Sequence, residues 1–366
     1  MTPAPPSPDG DHRFTSTGHL PEDTRVEEVL QRCHDEVAGV EEGHLSPVYP
    51  TLTRADPRCF GLALARADGQ VHEMGDSRVP FPIMSVAKPF VFALACQEHG
   101  TTPVRDLVGV DATGLPFNSA SAVERSPGGR TNPMVNAGAI ATTSLTPGAD
   151  LESRWEHLRA GLSRFAGREL LPDAETLETS RRTNTQNRAL ALLLAGAGAI
   201  RGDAMEATEL YTRQSALEVT AVDLAHMGAC LAAGGVNPWT GERVVGEEAA
   251  RVALAVMTVA GMYESSGSWL VDVGLPGKSG IGGGIVTVSP GKGALGSYSP
   301  LLDAHGNSVR GTLAAQWLSE KLGLDILASA AAASGAVSAV GSSAPADGGG
   351  HGALPDRDPT GSAPAS

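Results

Sequence analysis

The sequence predicts a mixed α/β (α+β) domain: an antiparallel sheet built from both ends of the chain, flanked by helices, with a helical subdomain inserted. Three observations carry this. Short apolar runs of β character lie early, around Cys59–Asp76, and again in a glycine-rich stretch after about Gly261. The region between them repeats its apolar residues at helical spacing. The two ends of the chain have compositions that cannot build a core.

In order along the chain, residues 1–24 open "MTPAPPSPDGDHRF", proline-rich and acidic with no apolar h-region. They read as a disordered leader rather than a signal peptide. "RVEEVLQRCHDEV" has helical periodicity. "CFGLALARADGQVHEMGD" reads as two short strands joined at Asp68-Gly69, because D-G favours tight hairpins. "SVAKPFVFALACQEHG" reads as a helix capped by Gly100. "LESRWEHLRAGLSRFAG", "NRALALLLAGAGAI" and "AVDLAHMGACLAAGG" supply the helical middle. "WLVDVGLPGKSGIGGGIVTVSP" reads as short β runs, and "GTLAAQWLSEKLGLDIL" as a closing helix. Residues 328–366 are rich in Ala, Gly, Ser and Pro and read as a flexible tail. The catalytic unit is then 25–327, and a ligand is expected in the cleft between its sheet and its helices.

Bulk chemistry excludes several functions. The 366 residues carry 27 Lys plus Arg against 41 Asp plus Glu, a net charge of −14. That argues against nucleic acid or an anionic membrane as partner. No apolar run reaches the ~18 residues of a spanning helix. Cys33, Cys59, Cys96 and Cys230 form no C-x-x-C pair, which fits a reducing, cytoplasmic setting. The ten histidines show no metal-binding spacing, so a metal site has little support.

Candidate chemistry begins at "FPIMSVAKPF", Phe81–Phe90. Ser85 and Lys88 stand three apart in an apolar stretch, on one face of a helix. A buried lysine has a lowered pKa and can take a proton from a neighbouring hydroxyl. "TNPMVNAGAI" places Asn132 and Asn136 in a loop, where Asn136 could meet a substrate carboxylate or amide, with an N-cap or turn asparagine as the plainer role. "KSGIGGG" follows Lys278 with a hydroxyl and glycines that let backbone approach a ligand, and the N–H of Ile281 is a candidate oxyanion donor. A phosphate loop ranks low there, since no helix follows directly. Tyr211 and Tyr263 are candidate proton relays, with core packing as the plainer role of each. The order S-x-x-K, Asn, K-S-G resembles that of penicillin-binding proteins and class A β-lactamases.

From Val26 to Leu327 the chain more specifically resembles the serine-dependent glutaminases. The resemblance rests on "GLPFNS", "NPMVNAGAI", "NRALA", "DLAHMGACLAAGGVNPWTGERV", "GMYESSG", "KSGIGGGI" and "SPLLDAHGNSVRG", in that order. It implies a β-lactamase/DD-peptidase-like fold, a homo-oligomer (tetramer or dimer), no cofactor, and hydrolysis of L-glutamine to L-glutamate and ammonia. It implies Ser85 as nucleophile, Lys88 as its activating neighbour, and Tyr211 and Tyr263 as substrate-positioning proton relays. Asn136 and Asn187 would hold the amino-acid end of glutamine, and the N–H groups of Ser85 and Ile281 the oxyanion.

Three positions depart from the family pattern. The family glutamate that accepts the α-ammonium, seven residues before the Asn187 position, is Ser180 here. Serine cannot make the charge-assisted bond, a loss of about 2–5 kcal/mol, and Glu178, two residues away on a helix, is a poor substitute for it. The glutamine before the nucleophile is Met84, and the Tyr-Ile-Pro near the start reads Val48-Tyr49-Pro50, which would turn the phenol to the other side of a strand. All three touch recognition, so the expectation is retained acyl-transfer chemistry with weakened use of L-glutamine. An acyl-enzyme hydrolase of β-lactam or peptide type, an amidohydrolase of altered substrate and a non-catalytic amino-acid-binding paralogue are the alternatives.

Overall fold

The Asp68-Gly69 turn joins β1 (Gly61–Arg66) to β2 (Val71–Gly75), with Arg66 N–H donating to Gln70 O at 2.8 Å. This is the hairpin the D-G pair predicts. The computed structural model describes Leu20 and residues 22–329. Residues 1–19, 21 and 330–366, which hold most of the expected leader and tail, lie outside them. β3 (Phe81–Pro82) and β4 (Glu218–Val219) form a separate two-stranded ladder. β5 (Gly277–Ser279), β6 (Gly284–Ser289) and β7 (Gly293–Tyr298) complete a five-stranded sheet in the order β2-β1-β7-β6-β5, every pair antiparallel. The sheet is thus closed by β1 pairing with β7, as the two-ended pattern requires.

Both faces of the sheet are covered, and the sequence alternates to suit. Leu62, Leu64, Ile285 and Leu295 meet one core, with residues of the helices Asp23–Val37 and Val309–Lys321. Ala63, Ala65, Val286, Val288 and Ala294 belong to the other core, with the helix Ala221–Ala232. Every residue of that helix is buried, and Thr220 and Asp223 close its start as a reciprocal capping box. Beyond it lie the helices of the inserted subdomain, Asn136–Thr143, Leu151–Ala166, Ala174–Thr183, Thr185–Gly196 and Ala204–Ser215.

Three sequence expectations are corrected. The first helix starts at Asp23, two residues before the predicted run. "WLVD" is helical, within Ser266–Asp272, not a strand. Trp269 points into the core and donates from Nε1 to Leu275 O at 2.8 Å, while Val271 is 74% exposed. Three apolar residues in a row cannot reveal which period they follow. The closing helix ends at Lys321, short of Leu327, where Gly323 adopts φ +62°. Among the described residues, no helix is long and apolar enough to cross a membrane.

Candidate active site

Ser85 lies in a 3₁₀ turn, Met84–Ala87, leading directly into the helix Lys88–His99. In such a turn residues i and i+3 eclipse, which puts Lys88 over Ser85 more directly than an α-helix would. The turn is pinned by Ile83 N–H donating to Leu217 O at 2.8 Å. Met84 has φ +48°, and Tyr263 has φ +55°. They are the two non-glycine residues at positive φ among the described residues, and both adjoin the serine's surroundings. Each such conformation costs roughly 1–3 kcal/mol and persists only where its neighbours enforce it.

Around Ser85 two lysine–tyrosine pairs are arranged alike. In the first, Lys88 Nζ donates to Asn136 Oδ1 at 2.7 Å, and the Tyr211 hydroxyl donates to the same oxygen at 3.1 Å. In the second, Lys278 Nζ donates to Ser279 O at 2.6 Å, and the Tyr263 hydroxyl donates to that carbonyl at 3.1 Å. Lys278 Nζ also sits 4.0 Å from the centre of the Tyr263 ring. Tyr211 and Tyr263, one from each pair, both lie beside the Ser85 side chain. Lys88 Nζ also donates to Met134 O at 3.3 Å, and among the described residues it makes no hydrogen bond to Ser85.

Burial sets the proton affinities. Lys88 is 1% exposed, and desolvation pulls its ammonium down to about 7. Lys278 is 0% exposed and is lowered well below the lysine range, by burial and then by the Lys88 charge. Burial raises Tyr263 to about 12 and Tyr211 further. At neutral pH the phenols are therefore donors, and Lys88 is the group poised to exchange a proton.

A line of amides leads away from Lys88. Asn136 Nδ2 donates to Asn187 Oδ1 at 3.0 Å, Asn187 Nδ2 to Asn184 Oδ1 at 2.5 Å, and Asn184 Nδ2 to the Thr212 hydroxyl at 2.6 Å. Asn136 opens the helix Asn136–Thr143, and its N–H donates to Phe117 O at 2.8 Å. Sequence reasoning named Asn136 and Asn187 but missed Asn184 and Thr212, whose place follows only from the packing of three helices. Asn132, the other asparagine of "TNPMVNAGAI", is fully buried and donates to Asp111 O at 2.8 Å, the plainer turn role.

The N–H groups of Ser85 and Ile281 have no acceptor among the described residues, and both residues line the same cavity. An unpaired N–H at the first turn of a helix is a ready anion donor. The loop carrying Ile281 approaches this turn because of its glycines. A Cβ on Gly280 would meet Ile83 O at 3.1 Å and Ser85 N at 3.2 Å, and one on Gly282 would overlap Pro82 O. Gly282→Ala is therefore expected to displace Ile281 and lower kcat about 10²–10³-fold, the usual effect of losing an oxyanion donor. Steady-state kinetics with an unchanged kcat would remove Ile281 from that role.

A third missed residue is Asn307. It accepts from the Ser279 hydroxyl and donates through Nδ2 to Ser265 Oγ at 3.0 Å. It thus ties the Lys278–Ser279 strand to the turn that holds Tyr263 at its strained φ.

The cavity holds about 340 Å³, at the small end of ligand sites. Ser85, Asn136, Asn187, Tyr211 and Ile281 all line it, and Phe117 packs on the Tyr263 ring at 4.8 Å. Among the described residues no cluster of His, Cys, Asp or Glu is arranged to hold a metal.

Comparison with known proteins decides the family. The Glutaminase family model matches residues 43–327. "Glutaminase 2" of Yersinia pestis is 53% identical over 316 residues, covering 86% of this chain and 93% of that protein. The chain belongs to the glutaminase family. Among solved structures, "probable glutaminase ybaS" is 38% identical with a TM-score of 0.83, over 84% of this chain and 99% of that one. Mglu in its glutamate form is 38% identical with a TM-score of 0.79, over 83% and 70%.

Against the glutaminase-family pattern, Ser180 lines the cavity where a carboxylate is expected. Glu178 does not replace it: its side chain is 61% exposed and lies 3.9 Å from Arg182, because residues two apart on a helix face different ways. Val48 and Tyr49 both line the cavity. They lie in an irregular segment before the helix Pro50–Thr53, so the strand-side argument for Tyr49 does not apply. Met84 also lines it, bringing a thioether where an amide is expected.

Proposed function

We propose that this chain hydrolyses the side-chain amide of L-glutamine to L-glutamate and ammonia through an acyl-enzyme on Ser85. The observation that carries the reading is the convergence of two buried lysine–tyrosine pairs on one serine that faces two unpaired N–H groups.

The Ser85 oxygen attacks the amide carbon while its proton passes through Tyr211 toward neutral Lys88, the two groups sharing Asn136 Oδ1. The carbonyl oxygen becomes an oxyanion held by the N–H groups of Ser85 and Ile281. The C–N bond then breaks, and the nitrogen leaves as ammonia with the proton taken from Ser85. A water attacks the resulting ester, gives its proton back by the same route, and frees Ser85 and the carboxylate product. Asn136 and Asn187 hold the far end of the substrate. Tyr263, protonated, orients the serine from the other side.

Purified full-length chain with L-glutamine is expected to release ammonia and L-glutamate in equal amounts. Folded protein that releases neither would sink the reading. The family resemblance supports a homo-oligomer, tetramer or dimer, and the four free thiols support a reducing, cytoplasmic setting.

A further inference from the structure

A glutamine placed with its amide at Ser85 brings two charges, a carboxylate and an ammonium, to the far end of the cavity. The wall there is unequal toward them. The carbonyl oxygens of Asn136, Asn187 and Asn184 already accept from Lys88 and Tyr211, from Asn136 and from Asn187. Only Asn136 Oδ1 is filled by two donors; Asn187 and Asn184 each keep an N–H that suits a carboxylate and one neutral lone pair that binds an ammonium less strongly than a carboxylate would. An ammonium needs acceptors, best a carboxylate, and none of the residues lining the cavity is acidic.

The neighbouring acids are committed elsewhere. Glu178 points to solvent beside Arg182. Glu209 accepts from Arg181 at 2.9 Å and from Arg213 at 2.8 Å. Ser180 is 5% exposed, lines the cavity, and its hydroxyl makes no hydrogen bond to another described residue. Among the described residues, the ionisable side chains buried at the reacting end include the amines Lys88 and Lys278 and no carboxylate. A bound ammonium would thus be desolvated without a counter-charge.

We propose that the preferred substrates are γ-carboxamide acids whose α position carries no ammonium, with Ser180 as the specificity-determining residue. N-acylated glutamines and deaminated five-carbon amides share this chemistry. The inference rests on the Ser85 amide-hydrolysis reading and narrows its substrate. L-Glutamine remains a substrate, disadvantaged by its ammonium.

Ammonia release by the full chain is measured on L-glutamine, glutaramate and N-acetyl-L-glutamine. Glutaramate removes the ammonium without adding bulk, and N-acetyl-L-glutamine neutralises it while adding an acyl group. We expect kcat/KM for glutaramate to exceed that for L-glutamine by about 10–100-fold, the weight of one charge-assisted bond. Comparable use of N-acetyl-L-glutamine points to N-acylated substrates, and its refusal points to deaminated ones. Ser180→Glu is expected to reverse the order of L-glutamine and glutaramate. Should that variant not fold, the wild-type ratio decides alone. L-Glutamine used as well as or better than both analogues would overturn the inference and leave the hydrolase reading standing. Ammonia from none of the three would overturn both. A folded Ser180→Glu enzyme that keeps the wild-type order would overturn the assignment to Ser180.

Discussion

Ser85→Ala is expected to lower ammonia release from L-glutamine by about 10⁴-fold or more, the scale seen when a nucleophile is removed from a site whose parts act as a unit. On the proposed mechanism the deletion removes the atom that would form the ester, and its neighbours are poor replacements. Burial holds both phenols protonated, and both lysine amines are bonded to carbonyl oxygens. The substitution removes one half-exposed hydroxyl from a turn whose backbone is fixed by Ile83 and Leu217, so the fold should be unaffected. A variant that keeps a tenth or more of the wild-type rate would place the nucleophile elsewhere.

Lys88→Met is expected to reduce kcat about 10²–10⁴-fold, the range for losing a general base. Methionine fills the apolar path of the lysine stem, and Asn136 Oδ1 keeps Tyr211 as donor. The pH profile separates a proton-transfer role from a packing role. With its ammonium pulled down to about 7 by burial, Lys88 is a competent base only above that pH. Wild-type kcat/KM should therefore fall as pH drops through about 7 and level off above it. In Lys88→Met this limb should vanish from the residual activity. A residual activity that keeps the same limb would assign it to another group.

The parts of this molecule that were legible in the sequence are those where local chemistry decides. The Asp68-Gly69 hairpin follows from turn preference, and the Ser85–Lys88 spacing survives although the turn is 3₁₀ rather than α. The glycines of Gly280–Gly284 announce a close approach, and Gly280 and Gly282 make it against the Ser85 turn. The parts that were not legible depend on distant packing. Asn184, Thr212 and Asn307 are ordinary hydrogen-bonding residues until helices and loops far apart in sequence bring them to Asn187, Ser279 and Ser265. Sequence spacing suggested that Lys88 touches Ser85 directly. In the folded chain Lys88 bonds Asn136 and Met134 instead, and two tyrosines from segments more than a hundred residues away lie beside the serine. Glu178 follows the helical spacing: two residues from Ser180, its side chain is exposed beside Arg182 and does not reach the cavity.

The most direct test of the Ser85 acyl-enzyme is intact-mass analysis of the chain after rapid acid quench during turnover of an amide substrate, followed by peptide mapping. The expected result is a substrate-derived acyl group on the peptide carrying Ser85, absent in Ser85→Ala. Full turnover with no adduct at any quench time, or an adduct mapped to another residue, would contradict it.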